Sequence, residues 1–196
     1  MILPIVAYGD PILTKVAEEI DQDYPGLKAL ITNMYETMYN AQGVGLAAPQ
    51  IARGIRLFIV DASPFADEEE EDFELLKSFK KTFINPIIIE ESGDEWEMEE
   101  GCLSIPDVRE MVYRPEQVVI EYYTEDWKLV EETYSGLAAR VIQHEYDHIE
   151  GVLFTDYVKP LRRRLIKGRL GSIERGDIKV EYPMKFPKRR CGVFFY

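Results

Sequence analysis

Residues 143–148 of the chain read Gln143-His144-Glu145-Tyr146-Asp147-His148. The residues around this stretch carry the signals of a helix, because Ser135 is a good N-cap and Gly151 is a good helix stop. Leu137, Val141, His144 and His148 recur between these two positions at helical spacing. The sequence therefore predicts a helix over about residues 135–151, with both histidines on one of its faces.

Histidines four residues apart lie one helical turn apart, so both imidazole rings can bind the same metal ion. Glu145 directly follows the first histidine and can reach a water molecule held by that ion. The plain alternative is that both histidines pack in a core or titrate on the surface. They are the only two histidines in 196 residues, so this spacing is improbable by chance. The pattern predicts a hydrolytic metal site.

Catalytic sites of this kind usually use three protein ligands and leave one position for water. One candidate for the third ligand is Cys102, which follows a strand-like run and can offer a thiolate. Taken alone, however, a single cysteine is more often a buried and inert side chain. Carboxylates are the rival ligands, and the chain contains 36 acidic residues. The residues by themselves leave the third ligand open.

Composition limits the class of protein. With 196 residues and 22.7 kDa, the chain is expected to form one globular domain over residues 1–196. A formal net charge of -13 argues against nucleic acid as the main ligand, so we expect no specific DNA binding. No apolar run approaches the length of a membrane span, so we expect no membrane partner. Residues 1–10 lack a signal-peptide pattern, and two distant cysteines suit a reducing cytoplasm.

Apolar periodicity predicts the remaining elements. Residues 25–40 keep one apolar stripe, with Pro25 in the first turn, and indicate a helix. Strands are expected around residues 56–62, 83–90 and 95–99, followed by a hairpin of residues 116–124 and 128–134. The predicted fold is α+β, with a mixed and mainly antiparallel sheet around the central metal-binding helix. An N-terminal and a C-terminal helix are expected outside it.

Three further segments stand out. Residues 43–50 form a small-residue stretch, expected as a loop, whose glycines permit close backbone approach and whose last residue, Gln50, can donate a hydrogen bond into a site. An unbroken acidic run, residues 67–72, lies within an acidic segment of about residues 65–80 and predicts a solvated surface loop. The tail of residues 161–196 is basic, which indicates a solvated face or a docking surface for an acidic partner such as ribosomal RNA.

Three of these stretches together resemble the signature motifs of the peptide deformylase family. They are residues 43–50 (Gly-Val-Gly-Leu-Ala-Ala-Pro-Gln), residues 100–104 (Glu-Gly-Cys-Leu-Ser) and residues 143–148 (Gln-His-Glu-Tyr-Asp-His). Their order and separations agree with that family, and the similarity in layout covers about residues 1–160. The resemblance implies that the acidic segment of about residues 65–80 is a variable insertion and that the tail after residue 160 is a variable region. The resemblance selects Cys102 as the third metal ligand.

The resemblance also implies a role for each site residue. It implies metal binding by Cys102, His144 and His148, general acid and base catalysis by Glu145, and oxyanion stabilisation by Gln50 and the backbone N–H of Leu103. It further implies substrate contacts by Gly45 and Arg109, with Gln143 and the second half of the helix supporting the ligands.

The implied reaction is removal of the N-terminal formyl group from formyl-methionyl nascent polypeptides, with release of formate. The implied cofactor is one divalent metal ion per chain, natively Fe²⁺, with Zn²⁺, Ni²⁺ or Co²⁺ as substitutes. The implied partners are the nascent peptides, together with the ribosome as a hypothesis for the basic C-terminal tail. The expected location is the cytoplasm.

Two competing functions remain at this stage. The first is a protease that uses His144, His148 and a distant carboxylate, with Cys102 as a bystander. The second is a binding module without catalysis, in which the metal is structural and the basic tail binds the partner. A structural site has no need of Glu145, which counts against the second hypothesis.

Overall fold

A computed structural model describes residues 1–69 and 72–187 of the chain. Within them the helices are α1 (Leu27–Asn40), α2 (Phe73–Lys77), α3 (Gly136–Glu150) and α4 (Pro160–Arg175). The strands are β1 (Ile5–Val6), β2 (Gly45–Ala47), β3 (Leu57–Asp61), β4 (Lys80–Cys102), β5 (Ile105–Tyr123), β6 (Leu129–Ser135) and β7 (Met184–Lys185). The α+β class predicted from the sequence is confirmed.

The main sheet has five strands in the order β2-β3-β4-β5-β6, and every neighbouring pair is antiparallel. A separate two-stranded sheet pairs β1 with β7 in parallel. The pairing of β4 with β5 shifts register at several points, among them Ser92/Glu95 and Gly101/Cys102. Such irregularities increase twist and bend a strand. The long β4–β5 hairpin can therefore curve and still end close to helix α3.

Helix α3 lies against the sheet through its apolar face. Ala138, Ala139 and Ile142 are fully buried in the same core cluster as Phe58 and Phe83, whose rings stack with centroids 4.6 Å apart. The helix predicted over residues 135–151 is confirmed. Ser135 is its N-cap, although its side chain makes no capping hydrogen bond, and Gly151 ends it at a φ of 74°.

Two segments differ from their predicted form. Helix α1 begins at Leu27, because Gly26 takes the left-handed conformation at the N-cap, so Pro25 precedes the helix instead of lying in its first turn. Residues 43–50 are not simply a loop. Gly45–Ala47 form the edge strand β2, because they pair with β3, and a 3-10 helix over Ala48–Ile51 follows.

The acidic insertion contains the expected exposed run and, after it, a short helix that was not predicted. Asp67 and Glu69 are exposed, as expected for a solvated run, whereas Glu70 and Glu71 lie outside the described residues. The short helix α2 was not predicted, and its Leu76 is fully buried in the core cluster beside helix α3. The insertion is thus anchored by buried apolar side chains, among them Leu76 and Phe79.

Several residues of the basic tail lie in helix α4, while the cluster Lys188 to Arg190 and Cys191 lie outside the described residues. No helix in the described part of the chain combines the length and apolar character that crossing a membrane requires.

Gly151 ends helix α3 and is predicted to tolerate replacement by alanine less well than Gly26 at the start of helix α1. A Cβ there would lie 2.7 Å from the backbone carbon of Thr14, and φ is 74°. At Gly26 φ is 73°, but nothing lies within 4 Å. We expect Gly26→Ala to lower the free energy of unfolding by about 1 kcal/mol from the left-handed conformation alone. Gly151→Ala should cost roughly 3 kcal/mol or more, because backbone must also move. Urea unfolding of both variants measures the difference, and equal losses would contradict it.

Candidate metal centre

Helix α3 presents His144 and His148 on the same face, one turn apart. Their ring centroids are 5.1 Å apart and the rings are nearly perpendicular, with an interplanar angle of 83°. His148 is almost completely buried, and His144 is largely covered. Burial and the neighbouring His144 lower the pKa of His148, so its imidazole is neutral and can ligate a metal.

Cys102 reaches the two histidines from the tip of the β4–β5 hairpin. Cys102 pairs with Ile105, so Leu103 and Ser104 form a two-residue turn. The Cys102 Sγ lies 3.3 Å from His148 Nε2, and the ligand atoms of Cys102, His144 and His148 all lie within 4.8 Å of one another. Within residues 1–69 and 72–187 this is the one group of three or more His, Cys, Asp or Glu side chains so arranged.

The donor set fits a catalytic metal ion. A thiolate and two imidazoles suit ions such as Zn²⁺ and Fe²⁺, and three protein ligands leave room for water or substrate. The His144 Nδ1 donates to Glu100 Oε2 over 2.9 Å, which leaves its Nε2 to face the other two ligands. Such a carboxylate partner fixes the ring orientation of a metal-binding histidine. No carboxylate belongs to the group, and among the described residues Cys102 is the side chain that lies with the two histidines.

Glu100 is the centre of a buried ion-pair network. Arg114 donates to both of its carboxylate oxygens, over 2.7 and 3.0 Å, and Arg140 donates to Oε1 over 3.1 Å. Arg114 also donates to Asp147 on helix α3 over 2.8 Å. Burial alone would raise the pKa of Glu100, but the hydrogen bonds from His144 and Arg114 lower it well below its usual range. Glu100 therefore stays ionised and holds His144 in place.

Glu145 supplies a buried carboxyl group to the site. Its side chain is buried, and Oε2 has no hydrogen-bond partner among the described residues. Burial raises the pKa of Glu145 to about 7. A carboxyl group with such a pKa can both take up and release a proton near neutral pH, as general acid and base catalysis requires.

Gly45 lies directly against this carboxyl group. A Cβ at Gly45 would come within 2.4 Å of Glu145 Oε1, so only glycine lets the edge strand β2 approach so closely. The small-residue stretch seen in the sequence therefore has a specific use. It brings backbone from β2 next to helix α3.

Gln50 turns its amide nitrogen toward the Cys102 hairpin. Its Oε1 accepts a hydrogen bond from the Ala47 N–H over 2.8 Å, which determines which end of the amide faces the site. Its Nε2 lies 3.4 Å from Cys102 Sγ and 3.3 Å from Ser104 Oγ as a donor to each. The 3-10 helix after β2 thus delivers one N–H donor beside the three ligands.

A cavity of about 500 Å³ opens onto this group. Its walls come from residues 41–45, from residues 98–109 and from helix α3, with Phe65 and Tyr182 added from elsewhere. Leu103 lines it at the hairpin turn. Arg109 lies at the rim with 68% of its side chain exposed, and its guanidinium is 3.8 Å from Glu99. The cavity therefore joins an apolar wall to a charged and accessible edge.

The sequence did not reveal which side chains hold His144 in place. The resemblance implied support of the ligands by Gln143, whose Nε2 donates to Glu91 over 2.9 Å and to the Pro115 carbonyl over 3.2 Å. The partner of His144 is Glu100, two residues before Cys102. Residues two apart on a strand share a face, so this signal was available. The contacts of Arg114 and Arg140 depend on strand register and left no local signal.

Comparisons with known proteins agree with this geometry. The model of the family described as polypeptide deformylase matches residues 2–164. The peptide deformylase of Christiangramia forsetii is 60% identical over 193 residues, covering 97% of this chain and 98% of the relative. That of Flavobacterium johnsoniae is 57% identical over 195 residues, covering 98% and 100%.

Among solved structures, a crystal structure of a peptide deformylase from Legionella pneumophila superimposes with a TM-score of 0.76 at 37% identity, covering 90% of this chain and 98% of that one. The motifs, the clustered ligands and these matches lead to one conclusion: the chain belongs to the polypeptide deformylase family, whose metal-dependent members remove N-terminal formyl groups from nascent polypeptides.

Proposed function

We propose that the deformylation reaction takes place in the cavity beside Cys102, with the following roles for this chain's residues. Cys102, His144 and His148 hold the metal, Glu145 moves the proton, Gln50 and the Leu103 N–H stabilise the oxyanion, and Gly45 and Arg109 contact the substrate. The observation that carries the proposal is the buried carboxyl group of Glu145, whose Oε2 has no hydrogen-bond partner among the described residues, close to the clustered side chains of Cys102, His144 and His148.

We propose Fe²⁺ as the native ion, with Zn²⁺, Ni²⁺ or Co²⁺ able to replace it. When bound, a divalent ion at such a site supplies Lewis acidity and lowers the pKa of a water molecule in its open position. Fe²⁺ and the Cys102 thiolate both oxidise readily, so deformylase activity should fall when the protein is exposed to air. The mixed thiolate and imidazole donor set is compatible with each of these ions.

The protein groups account for the proton and charge movements. Glu145 takes a proton from the attacking water and delivers it to the departing amine as the C–N bond of the formamide breaks. The negative charge that develops on the formyl oxygen needs N–H donors held in advance. We assign this role to the Gln50 amide, which donates toward Cys102 Sγ, and to the Leu103 N–H at the hairpin turn. Arg109 at the rim can contact the peptide backbone that extends from methionine.

The ligand assignment predicts a severe effect of Cys102→Ser. Protein purified without oxygen should contain about one metal ion per chain and deformylate formyl-Met-Ala-Ser. Cys102→Ser should lose most of the metal, and with it at least about 99% of the turnover, because a neutral hydroxyl is a far weaker ligand than a thiolate. Metal analysis and formate release measure both effects, with Cys191→Ser as the control that retains both. A Cys102→Ser variant that keeps full metal content and full formate release would contradict Cys102 as a metal ligand.

Glu145→Gln should separate metal binding from catalysis. The amide keeps the size of the side chain but cannot carry the proton, so we expect unchanged metal content and a fall in kcat of roughly 100-fold or more. Glu150→Gln is the matched control, since Glu150 lies on the same helix and pairs with Arg56 at 2.7 Å outside the cavity. A Glu145→Gln variant that keeps more than about a tenth of the activity would contradict the assigned role.

We further propose a cytoplasmic location and contact with the ribosome through the basic C-terminal region. A second cavity, of about 400 Å³, lies between Tyr8 and helix α4 and is lined by Arg163, Arg164 and Lys167. Arg163 is paired with Asp156, whereas Arg164 and Lys167 have no ion pair within residues 1–69 and 72–187. Unpaired cations on an otherwise acidic chain suit contact with RNA phosphates.

This contact predicts a charge-dependent effect away from the cavity beside Cys102. The double variant Arg164→Glu with Lys167→Glu should bind ribosomes roughly tenfold more weakly, and the slope of log affinity against log salt should fall by about 2. Deformylation of a free tripeptide should stay unchanged. The variant Lys28→Glu with Arg53→Glu alters exposed sites by the same total charge and serves as the control. Equal loss of binding in both would show a net-charge effect and contradict a specific surface.

A further inference from the structure

The chain beyond helix α4 returns to the cavity at the metal centre. Strand β7 pairs with β1 through hydrogen bonds from Ile5 N to Pro183 O and from Ala7 N to Lys185 O, of 2.9 and 2.8 Å. The Phe186 ring lies against Gly176, where a Cβ would be only 3.1 Å away. These contacts secure residues 177–187, named here the C-terminal return. It lies after residue 164, where the match to the family model ends.

Tyr182 in this segment reaches the hairpin that carries the Cys102 ligand. Its hydroxyl donates to the Leu103 carbonyl over 2.7 Å, across 79 positions of sequence. Its ring is half-buried and packs in the same apolar cluster as Leu103. Among the described residues that line the cavity, Tyr182 is the only one that follows helix α3. The C-terminal return therefore supplies both a wall and a hydrogen-bond donor.

The hairpin turn is held from several directions. The Tyr8 N–H donates to the Ser104 carbonyl over 2.8 Å, and Gln50 donates to the Ser104 hydroxyl over 3.3 Å. The Leu103 side chain lies so close to Gly43 that a Cβ there would meet it at 2.7 Å. Tyr182 adds the contact on the Leu103 carbonyl itself. Each peptide unit is planar, so the plane of the Leu103 carbonyl is separated from the plane of the Leu103 N–H only by the φ and ψ rotations of Leu103. Holding the carbonyl and the Leu103 side chain therefore restricts the direction of the N–H.

We propose that Tyr182 is a positioning residue for deformylation, whose hydroxyl holds Leu103 so that the Leu103 N–H and the adjacent Cys102 thiolate keep their direction into the site. The proposal rests on the roles proposed above for Leu103 and Cys102. An oxyanion donor is effective only when it is aimed at the developing charge, and small displacements of such groups reduce rates strongly. The segment outside the family match thus contributes to the chemistry of the site.

Tyr182→Phe tests this proposal, because it removes the hydroxyl and keeps the ring. We expect kcat on formyl-Met-Ala-Ser to fall about tenfold while KM stays within about twofold, since the lost contact acts on the transition state. With Co²⁺ in place of the native ion, the visible absorption of the Co²⁺–thiolate centre should also shift, because the direction of the Cys102 Sγ changes.

Tyr122→Phe is the matched control. Tyr122 is buried near the other end of β5, its hydroxyl donates to Glu132, and it does not line the cavity. This variant should lose stability in urea unfolding but keep the wild-type kcat and Co²⁺ spectrum. A Tyr182→Phe variant with kcat within about twofold of wild type and an unchanged spectrum would overturn the proposal. Wild-type protein without deformylase activity would instead contradict the proposed function, and the spectra would still test the position of Cys102.

Discussion

The buried carboxylate of Glu100 is the contact on which the rest of the site depends. It comes from β4, and it is bound by Arg114 from β5 and by Arg140 and His144 from helix α3. An ionised group that is removed from water is strongly unfavourable unless its partners all reach it. The long hairpin and the helix must therefore meet in one arrangement, which also brings Cys102 to the two histidines.

Strand geometry explains why a single hairpin can supply both the ligand and its support. Glu100 and Cys102 lie two residues apart on β4 and so point to the same face. Glu100 orients the ring of His144, while Cys102 lies with the two histidines at the turn. On the opposite side of the cavity, Gly45 allows β2 to contact Glu145. The site is thus enclosed between a hairpin tip, an edge strand and one helix, each limited by close packing.

Charge is distributed unevenly over this acidic chain. Most cations of helix α4 are neutralised locally, as in the pairs of Arg162 with Glu110 and of Arg169 with Asp107. Arg164 and Lys167 are the cations of that helix that have no ion pair among the described residues. The helix also exposes two apolar side chains, Leu161 and Leu165. The cavity beside Cys102 and the cavity lined by Arg164 and Lys167 share no lining residue, so substitutions at these two cations leave the lining of the first cavity unchanged.

The sequence by itself determined the features that depend on near neighbours. The period of residues 135–151 predicted helix α3 with His144 and His148 on one face, and apolar runs predicted most of the main sheet. Only the tertiary structure decided the contacts between distant segments: the register that brings Arg114 to Glu100, the edge strand at Gly45, and the return of Tyr182 to Leu103. Periodicity and capping are local properties of the chain, whereas these contacts depend on strand register, bulges and packing across 14 to 79 positions.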